Sequence, residues 1–436
     1  MSAQCEPMSV DLFVRPEGAA CGAASVPVAI AATGEFVADD RLHAARERIW
    51  DRVLRLYETG LFPGISVCVV HHHQRVLHRA VGYASVPTVG ASYPSTVEAL
   101  GHLSGKGVPM TPEQPACLFS ASKMVTAMLV HWAVEQGDLC IDAPLSDTLP
   151  QLVGTALGRL TLQDVLTHRA GVPRFPKEIP IDVLFDEKAS LASLIPLNPQ
   201  SITEDSAAYH AVTGGVLAGA ALASVYKMGL PRLLDRVFRK PLGLRYFSFG
   251  LSAAAQRGTE FVHEYITGVK PNVLLQQWVS RLVGASFQEV VRITHDPRFR
   301  RAVIPAVNVY ATAEEVCCFF QMLMQHGRYG TQQVLAPATV SAALRPMGGW
   351  CFDRQFMLPM RYSKGFMLGA NPLGLWGPFS EKSFGHLGFT NKWSWAIPHS
   401  QTAVCLLSNG NCLAGAPIKP MVQFVLEVQR LGGLFT

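Results

Sequence analysis

The two ends of the chain carry the patterns that most constrain its fold. The stretch "DDRLHAARERIWDRVLRLYETG" predicts an amphipathic helix, because Ile49, Val53 and Leu56 recur on one helical face. Asp40 is a candidate N-cap for this helix, and Gly60 is placed to end it. Near the other end, "APIKPMVQFVLEVQRLGG" predicts a second amphipathic helix. Each end of the chain therefore offers a helix with one apolar face.

Strand patterns lie between these two helices along the sequence. The stretch "FPGISVCVVHHHQRVLHRAVGYA" predicts two antiparallel strands joined at residues 71–74, and "KWSWAIP" and "TAVCLLSNG" predict buried strands. We therefore predict one sheet built from about residues 39–115 and 300–436, with a mainly helical region at about 116–300, which is an α/β plus α architecture. Residues 1–38 are rich in Ala, Gly and Pro and are predicted to form a tail or wrapping arm.

Composition excludes several classes of protein. The 436 residues are 49% hydrophobic and 16% charged, which is typical of a globular chain and not of a disordered one. The net charge of +5 comes from scattered basic residues, so no nucleic-acid partner is predicted. The densest basic patch, "DPRFRR", is interpreted as a solvated loop, with an anion-steering site as the alternative. No stretch reaches the roughly 20 apolar residues that a transmembrane helix needs.

Cysteine usage and missing motifs bear on location and cofactors. None of the ten cysteines forms a CxxC pair, and the N-terminus has no basic start, which together favour reduced thiols in the cytoplasm. The run His71-His72-His73 cannot direct three rings at one metal from a strand, because alternate side chains point to opposite faces. No metalloprotease, EF-hand, Walker or Rossmann pattern occurs, so we predict no metal and no cofactor.

The stretch "CLFSASKMVTAML" holds the first candidate site residues. Ser120 and Lys123 are three residues apart and share a face at the start of an apolar helix, where free N–H groups favour a developing anion. A lysine among apolar residues has a lowered pKa, which favours its proton-accepting form. The same spacing recurs at Ser224 and Lys227, but there the pair lies near a helix C-terminus and is interpreted as structural.

Several ordered stretches make the chain recognisable. "LFSASKMVTA" resembles the S-x-x-K box of serine β-lactamases and penicillin-binding proteins. "LTLQDVLTHRAGVP" resembles the stretch after the catalytic helix, "AYHAVTGGVLAG" the tyrosine box, and "FGHLGFTNKWSWAIP" the third box. The chain looks closest to the class C branch and its esterase relatives, the family VIII carboxylesterases. The resemblance implies a catalytic domain at residues 39–436 with an antiparallel sheet flanked by helices.

This resemblance also implies roles for individual residues. Ser120 would be the acylated nucleophile, Lys123 would hold or shuttle its proton, and Tyr209 would act as the general base. His386 stands where the third-box lysine would be and would place a hydrogen-bond donor or a titratable group beside the tyrosine or the substrate.

Further positions are implied for binding. The backbone N–H groups of Ser120 and Phe389 would form the oxyanion hole, and Gly388 would leave room for substrate along the strand. Phe119 and Trp393 suggest an apolar acyl or alcohol pocket. Ser122, His168 and His210 are instead interpreted as structural or supporting residues.

Departures from the boxes favour neutral ester substrates. The tyrosine box reads Tyr209-His210-Ala211, without the asparagine of class C β-lactamases, and the third box has His386 instead of lysine. No G-x-S-x-G elbow of an α/β-hydrolase occurs. We therefore predict a serine hydrolase that cleaves carboxylic esters through an acyl-serine.

Other functions remain open at this stage. The same acyl-serine could serve an acyltransferase, or β-lactam and D-amino-acid peptide substrates, and an inactive binding protein of the same fold is the non-enzymatic alternative. The natural ester, the oligomeric state and whether residues 84–115 form a lid are not predicted.

Overall fold

We describe a computed structural model of the chain. It describes residues 30–36, 39–86, 107–252, 261–268, 272–390, 392–413, 418–431 and 433. The segment raised as a possible lid lies largely outside these residues, because 87–106 are not among them.

The strands form one large sheet and several small ones. The large sheet has the order β1-β3-β2-β19-β18-β17-β14, with β4 paired to β3, and its pairings are antiparallel. In chain order the strands are β1 Ile30–Ala32, β2 Gly64–His71, β3 Gln74–Ser85, β4 Val108–Pro109, β5 Ala116–Cys117, β6 Ser206–Ala207, β7 Ser248–Phe249, β8 Tyr265–Ile266, β9 Val309–Ala311, β10 Arg328–Tyr329, β11 Gln332–Gln333, β12 Cys351–Asp353, β13 Leu358–Met360, β14 Met367–Leu368, β15 Leu373–Gly374, β16 Gly377–Pro378, β17 Phe384–Gly388, β18 Lys392–Ile397, β19 Thr402–Ser408 and β20 Gly410–Asn411.

The predicted single sheet built from both chain ends is confirmed. Strands β2 and β3 from the first part of the chain lie beside β19, β18 and β17 from the last, and β2 pairs directly with β19. The turn between β2 and β3 is His72-His73, and both residues have left-handed backbones. These histidines therefore make a hairpin turn, as their place between two apolar strands predicted.

Helices cover both faces of this sheet. In chain order the helices of the described residues are α1 Asp40–Tyr57, α2 Ser122–Glu135, α3 Leu145–Thr148, α4 Leu162–Leu166, α5 Glu187–Leu194, α6 Thr213–Tyr226, α7 Leu230–Leu234, α8 Val273–Val283, α9 Phe287–Ile293, α10 Pro297–Arg301, α11 Ala313–Met324, α12 Pro337–Leu344 and α13 Ile418–Leu431. The terminal helices α1 and α13 pack on each other, and α11 packs on β2, β18 and β19. Most of the others fall in the middle of the chain, as predicted.

Side-chain alternation along β2 shows how the two layers form. Ile65, Val67 and Val69 join the core cluster of α1 and α13, whereas Cys68 and Val70 join the cluster of α2, α6 and α11. Successive residues of a strand point to opposite faces, so an unbroken apolar strand is buried on both sides. The continuous run "ISVCVV" has this pattern, and it places β2 in the middle of the molecule.

The N-terminal arm differs from the expectation in one respect. Residues 30–32, inside the segment predicted as a tail or arm, form the edge strand β1 and pair with β3. Three residues are too few to show a strand period in a sequence, and their pairing depends on the neighbouring edge of β3.

No helix among the described residues is long and apolar enough to cross a membrane.

Candidate active site

Ser120 lies in a tight turn that leads into α2. The 3-10 turn Phe119–Ala121 precedes the helix, and Phe119 has a left-handed backbone with a φ of 45°. Such a conformation is costly for an aromatic residue, and strained backbones of this kind cluster at functional sites. Amide N–H groups at a helix start lack intrahelical acceptors. The turn therefore places the Ser120 hydroxyl in an electropositive position, just before the helix and not within it.

The Lys123 amine lies beside this hydroxyl. Its Nζ is 3.1 Å from Ser120 Oγ, 2.6 Å from the carbonyl oxygen of Ala211 and 3.2 Å from that of Ala306. Burial lowers the pKa of Lys123 well below its ordinary value, and no carboxylate of the described residues opposes this. The amine is therefore neutral far more readily than a surface lysine.

The partners of Lys123 fix the direction of its lone pair. A carbonyl oxygen only accepts hydrogen bonds, so Ala211 and Ala306 each take one N–H of the amine. A neutral amine has two N–H bonds and one lone pair. The lone pair of a neutral amine then faces Ser120 Oγ, 3.1 Å away, and is oriented to accept the hydroxyl proton.

Tyr209 lies against the same amine. It stands in the loop before α6, ahead of the helix start at Thr213. Lys123 Nζ is 4.9 Å from the centroid of its ring. The rings of His168 and Phe356 pack on it at centroid distances of 4.6 and 4.7 Å. These contacts hold the phenol ring in one position.

The protonation state of Tyr209 follows from its burial. Burial raises the pKa of Tyr209 well above its ordinary value, a hydrogen bond with Ser120 opposes the shift in part, and the charge of Asp353 adds to it. Tyr209 is therefore a protonated phenol at neutral pH, and its hydroxyl is able to donate a hydrogen bond.

His386 lies on β17, facing the tyrosine. The ring centroids of His386 and Tyr209 are 6.2 Å apart. The His386 Nδ1 is 2.7 Å from the carbonyl oxygen of Leu387, which can only accept, so Nδ1 carries the proton and Nε2 carries the lone pair. Burial, with the charge of Lys123, lowers the pKa of His386 to about 3. His386 therefore offers a neutral hydrogen-bond acceptor at Nε2, where the sequence suggested a donor or a titratable group.

The C-terminal end of β17 packs directly against the turn that carries Ser120. A Cβ on Gly388 would lie 2.3 Å from the carbonyl oxygen of Leu118, so only glycine fits at this approach. Phe389 follows with a left-handed backbone, φ 40°, and its ring centroid is 5.3 Å from that of Phe119. The two backbone turns at positions 119 and 389 thus lie side by side.

An open pocket with about 1030 Å³ of empty space begins at Ser120 and Tyr209. Among the described residues, the rest of its lining is apolar and includes no charged group and no histidine. The lining residues are Phe119, Ser120, Phe175, Ile179, Pro180, Ile181, Val183, Leu184, Tyr209, Ala211, Val212, Leu282, Val283, Gly284, Ala285, Val290, Ile293, Phe299, Val307, Phe356, Met367, Leu387 and Phe389.

Some of the predicted binding residues line the pocket and others do not. Phe119 lines the pocket, together with Phe389, whose N–H was assigned to the oxyanion hole. Gly388 lies against the backbone of Leu118 instead. Trp393 does not line the pocket, and its ring packs against Trp376 at 6.2 Å.

Residues interpreted as structural have structural contacts. Ser122 Oγ accepts a hydrogen bond from the N–H of Val309 at 3.0 Å, and His168 Nδ1 accepts one from the N–H of His210 at 3.1 Å. In the second serine–lysine pair, Ser224 Oγ donates to the Thr148 carbonyl at 2.8 Å, while Lys227 is the left-handed C-cap of α6.

A buried polar cluster beneath the site was missed. Lys392 Nζ and Asn411 Nδ2 each lie 2.8 Å from Glu264 Oε2, and all three residues are buried. Lys392 Nζ is also 4.6 Å from the centroid of the Phe119 ring. A lysine within the apolar strand "KWSWAIP" was the available signal, since a buried lysine needs a partner.

Much of the pocket wall was also missed. Leu282 and Val283 at the end of α8, and Phe356 between β12 and β13, line it. These residues stand in stretches whose apolar positions show no relation to the boxes, so no signal in the sequence links them to Ser120.

Within the described ranges, no three His, Cys, Asp or Glu side chains come together as a possible metal site.

Known proteins resemble this chain along most of its length. The family model "Beta-lactamase" matches residues 50–419. The esterase/beta-lactamase LipL of Mycobacterium tuberculosis is 24% identical over 313 residues, which are 69% of this chain and 71% of that protein. A crystal structure of a family VIII carboxylesterase has a TM-score of 0.74 at 19% identity and covers 92% of this chain and 99% of its own. A penicillin-binding protein homologue from Caulobacter crescentus has a TM-score of 0.73 at 22% identity, with the same coverage.

The fold and the matched family model lead to one assignment. The structural neighbours share the antiparallel sheet flanked by helices over nine-tenths of the chain. The family model spans all four boxes, from the helix before the S-x-x-K box to the start of the closing helix. The chain belongs to the Beta-lactamase family, whose members are serine hydrolases.

Proposed function

We propose that this protein cleaves neutral, hydrophobic carboxylic esters through a covalent acyl-serine intermediate on Ser120. The observation that carries the proposal is the apolar pocket that begins at Ser120 and has no charged side chain in its lining. An apolar lining of this kind suits a ligand that buries hydrocarbon surface and carries few polar groups. Similarity to LipL, named an esterase/beta-lactamase, and to a family VIII carboxylesterase supports cleavage of esters.

The pocket argues against substrates that carry a carboxylate. A β-lactam or a D-amino-acid peptide presents a carboxylate, and desolvating it without a cation is costly. Lys392 is the buried cation near the site, but its amine is paired with Glu264. The pocket therefore favours a neutral acyl group.

Acylation begins with the proton of Ser120. Ser120 Oγ attacks the ester carbonyl while its proton passes to the lone pair of Lys123. The resulting ammonium keeps the carbonyls of Ala211 and Ala306 as acceptors and lies over the Tyr209 ring, which stabilises its charge.

Collapse of the tetrahedral intermediate requires a proton donor. Tyr209 is protonated and bonded to Ser120, so its hydroxyl donates to the departing alkoxide. The proton held by Lys123 then restores the phenol. Tyr209 is thus assigned as the acid of acylation, and in the second step the phenol and the amine return a proton from water to Ser120.

The oxyanion would be bound by two backbone N–H groups. Those of Ser120 and Phe389 belong to the two left-handed turns that lie against each other. Fixed N–H donors at the developing negative charge commonly contribute about 10²- to 10³-fold in rate.

The test is ester hydrolysis by the native protein and two serine variants. We expect turnover of p-nitrophenyl acetate, butyrate and octanoate by the native protein, loss of turnover in Ser120→Ala, and a normal rate in Ser224→Ala. Ser224 is a matched control because it has the same serine–lysine spacing and a hydroxyl bound only to structure. Intact-mass analysis should show an acyl adduct that Ser120→Ala lacks.

Two results would overturn the proposal. Hydrolysis that persists in Ser120→Ala would show that another group performs the reaction. A native protein that neither turns over nor acylates would place the function outside ester cleavage.

A further inference from the structure

A second cavity lies behind the wall of the active-site pocket. It has about 820 Å³ of empty space and lies between α5, α6 and residues 303–305. Leu191, Val216 and Ile304 are buried in its lining, while Glu187 and Lys188 stand exposed at its rim.

Leu184 is the one residue found in the lining of both cavities. It lies in the 3-10 segment Ile181–Phe185, is 8% exposed, and belongs to the core cluster that also holds Phe299 and Ile304.

Neighbouring residues of the same segments line the two cavities in turn. Val212 lines the active-site pocket and Val216, one helical turn further on, lines the second cavity. Val307 lines the active-site pocket and Ile304, three residues earlier in the same loop, lines the second cavity. The two cavities therefore draw on the same segments, and Leu184 belongs to the lining of both.

The second cavity has the chemistry of a hydrocarbon site. Its wall is largely aliphatic, and on α6 it is lined by the small residues Gly219, Ala220 and Ala223. The hydroxyls of Ser190 and Ser224 also line it, but each already donates to a backbone carbonyl. An unbranched alkyl chain matches such a narrow apolar space, because it gains from burial and needs no polar partner.

We propose that Leu184 is a specificity-determining residue that sets the upper limit of acyl length, and that the space behind it takes the tail of a long unbranched acyl chain once this side chain is shortened. The inference rests on the proposed ester hydrolysis. Leu184 acts through volume alone: its isobutyl group closes the passage from the active-site pocket.

The test compares acyl lengths in Leu184→Ala and in a matched variant. We expect Leu184→Ala to raise the ratio of kcat/KM for p-nitrophenyl palmitate over butyrate by about tenfold or more, since burying two further methylene groups is worth about tenfold. Val183→Ala, which enlarges only the active-site pocket, should change the ratio less than threefold.

A double variant shows whether the tail enters the second cavity. Ala223 lines that cavity alone, so Ala223→Phe should leave short and long esters unchanged in the native background. In the Leu184→Ala background it should remove the gain for palmitate. A gain that survives Ala223→Phe would overturn the proposal, as would an unchanged ratio in Leu184→Ala.

Folding and chemistry are checked separately. If Leu184→Ala unfolds, Leu184→Val and Leu184→Phe give the same test, with the ratio expected to rise and to fall respectively. The rate of Ser120 labelling by butyl and hexadecyl fluorophosphonates reads the same length preference without turnover. Length-dependent labelling without hydrolysis of any ester would support the role of Leu184 and contradict the proposed function. Hydrolysis that does not change with acyl length in the Leu184 variants would support the proposed function and contradict the role of Leu184.

Discussion

At the scale of single residues, the buried Lys123 amine decides how the site responds to pH. In the proposed mechanism the neutral amine accepts the Ser120 proton, and protonation below its lowered pKa would remove that capacity. We expect kcat/KM for p-nitrophenyl butyrate to fall as pH falls through this pKa, which lies well below 10.5. A pH–rate profile measured from pH 5 to 10 gives its position.

Titration of His386 should not contribute to this fall of kcat/KM at low pH, which we call the acid limb of the profile. Its pKa is lowered to about 3, so the ring is neutral above about pH 4 and titrates outside the measured range. We expect His386→Gln to lower the rate but to leave the midpoint of the limb in place. A midpoint that moves in this variant would assign the titration to His386.

The Tyr209 hydroxyl can be removed without disturbing its packed ring. We expect Tyr209→Phe to lower kcat by about 10²- to 10⁴-fold, because the departing alkoxide loses its proton donor. Tyr265→Phe is a matched control, since it removes another buried phenol, one whose oxygen accepts from the N–H of Val86 at 2.9 Å and which has no contact with Tyr209 among the described residues. Its cost should appear in stability, at about 1–3 kcal/mol, and not in kcat. Equal losses of kcat in both variants would contradict the role of Tyr209.

The residues of the boxes could be placed from the sequence, and their protonation could not. Ser120 and Lys123 share a helix face by their spacing alone, so their meeting follows from local geometry. The two carbonyls that orient Lys123 come from positions 211 and 306, and only the fold brings them to the amine. For the same reason the protonated state of Tyr209 and the acceptor nitrogen of His386 required the structure.

At the scale of elements, the contact between β17 and the turn before α2 holds the site together. A Cβ on Gly388 would meet the Leu118 carbonyl at 2.3 Å, and relieving that contact would displace the backbone next to Phe389 or the backbone next to Ser120. We expect Gly388→Ala to lower kcat by about 10²- to 10³-fold, the usual loss for a displaced oxyanion donor.

Gly349→Ala is the control for this change. A Cβ at position 349 meets no atom within 4 Å, so the variant should keep both its activity and its melting temperature. If Gly388→Ala retained its full rate, the close approach would have no part in catalysis.

The Lys392–Glu264 pair links β18 to the segment before β8. We expect Lys392→Met to lower the free energy of unfolding by about 3–5 kcal/mol, because it leaves a buried carboxylate with Asn411 as its remaining side-chain partner. The double variant Lys392→Met/Glu264→Gln should recover part of this loss in urea unfolding. Additive losses in the double variant would show that the two groups do not interact.

The first residues of helices α1 and α6 show where local sequence patterns suffice to place a helix start and where they do not. Helix α1 follows its apolar spacing, but Asp39 and not Asp40 caps it, since the Asp39 side chain accepts from the N–H of Leu42 at 2.8 Å. The stretch "AYHAVTGGVLAGAALASVYKMG" has the apolar character of a helix that includes Tyr209. The helix begins only at Thr213, because the loop before it is held by contacts to Asp353 and His168, which no local pattern reveals.

At the scale of the whole molecule, the sheet was predicted because strands with strong patterns flank a helical middle. Its edges were not. Strand β1 and the two-residue strand β14 are too short to show a period, and their pairing depends on neighbours far away in the chain. The pocket wall at Leu184 and Phe356 escaped prediction for the same reason, since it is assembled from irregular segments.

The pairing of β2 with β19 has a consequence for how the protein is made. Synthesis proceeds from the N-terminus, and β2 emerges with β3 long before residues 402–408 exist. Until those residues leave the ribosome, one side of an apolar strand stays unpaired and can add to other chains. We therefore expect the nascent chain to need protection by chaperones from the time β2 emerges until residues 402–408 have been released.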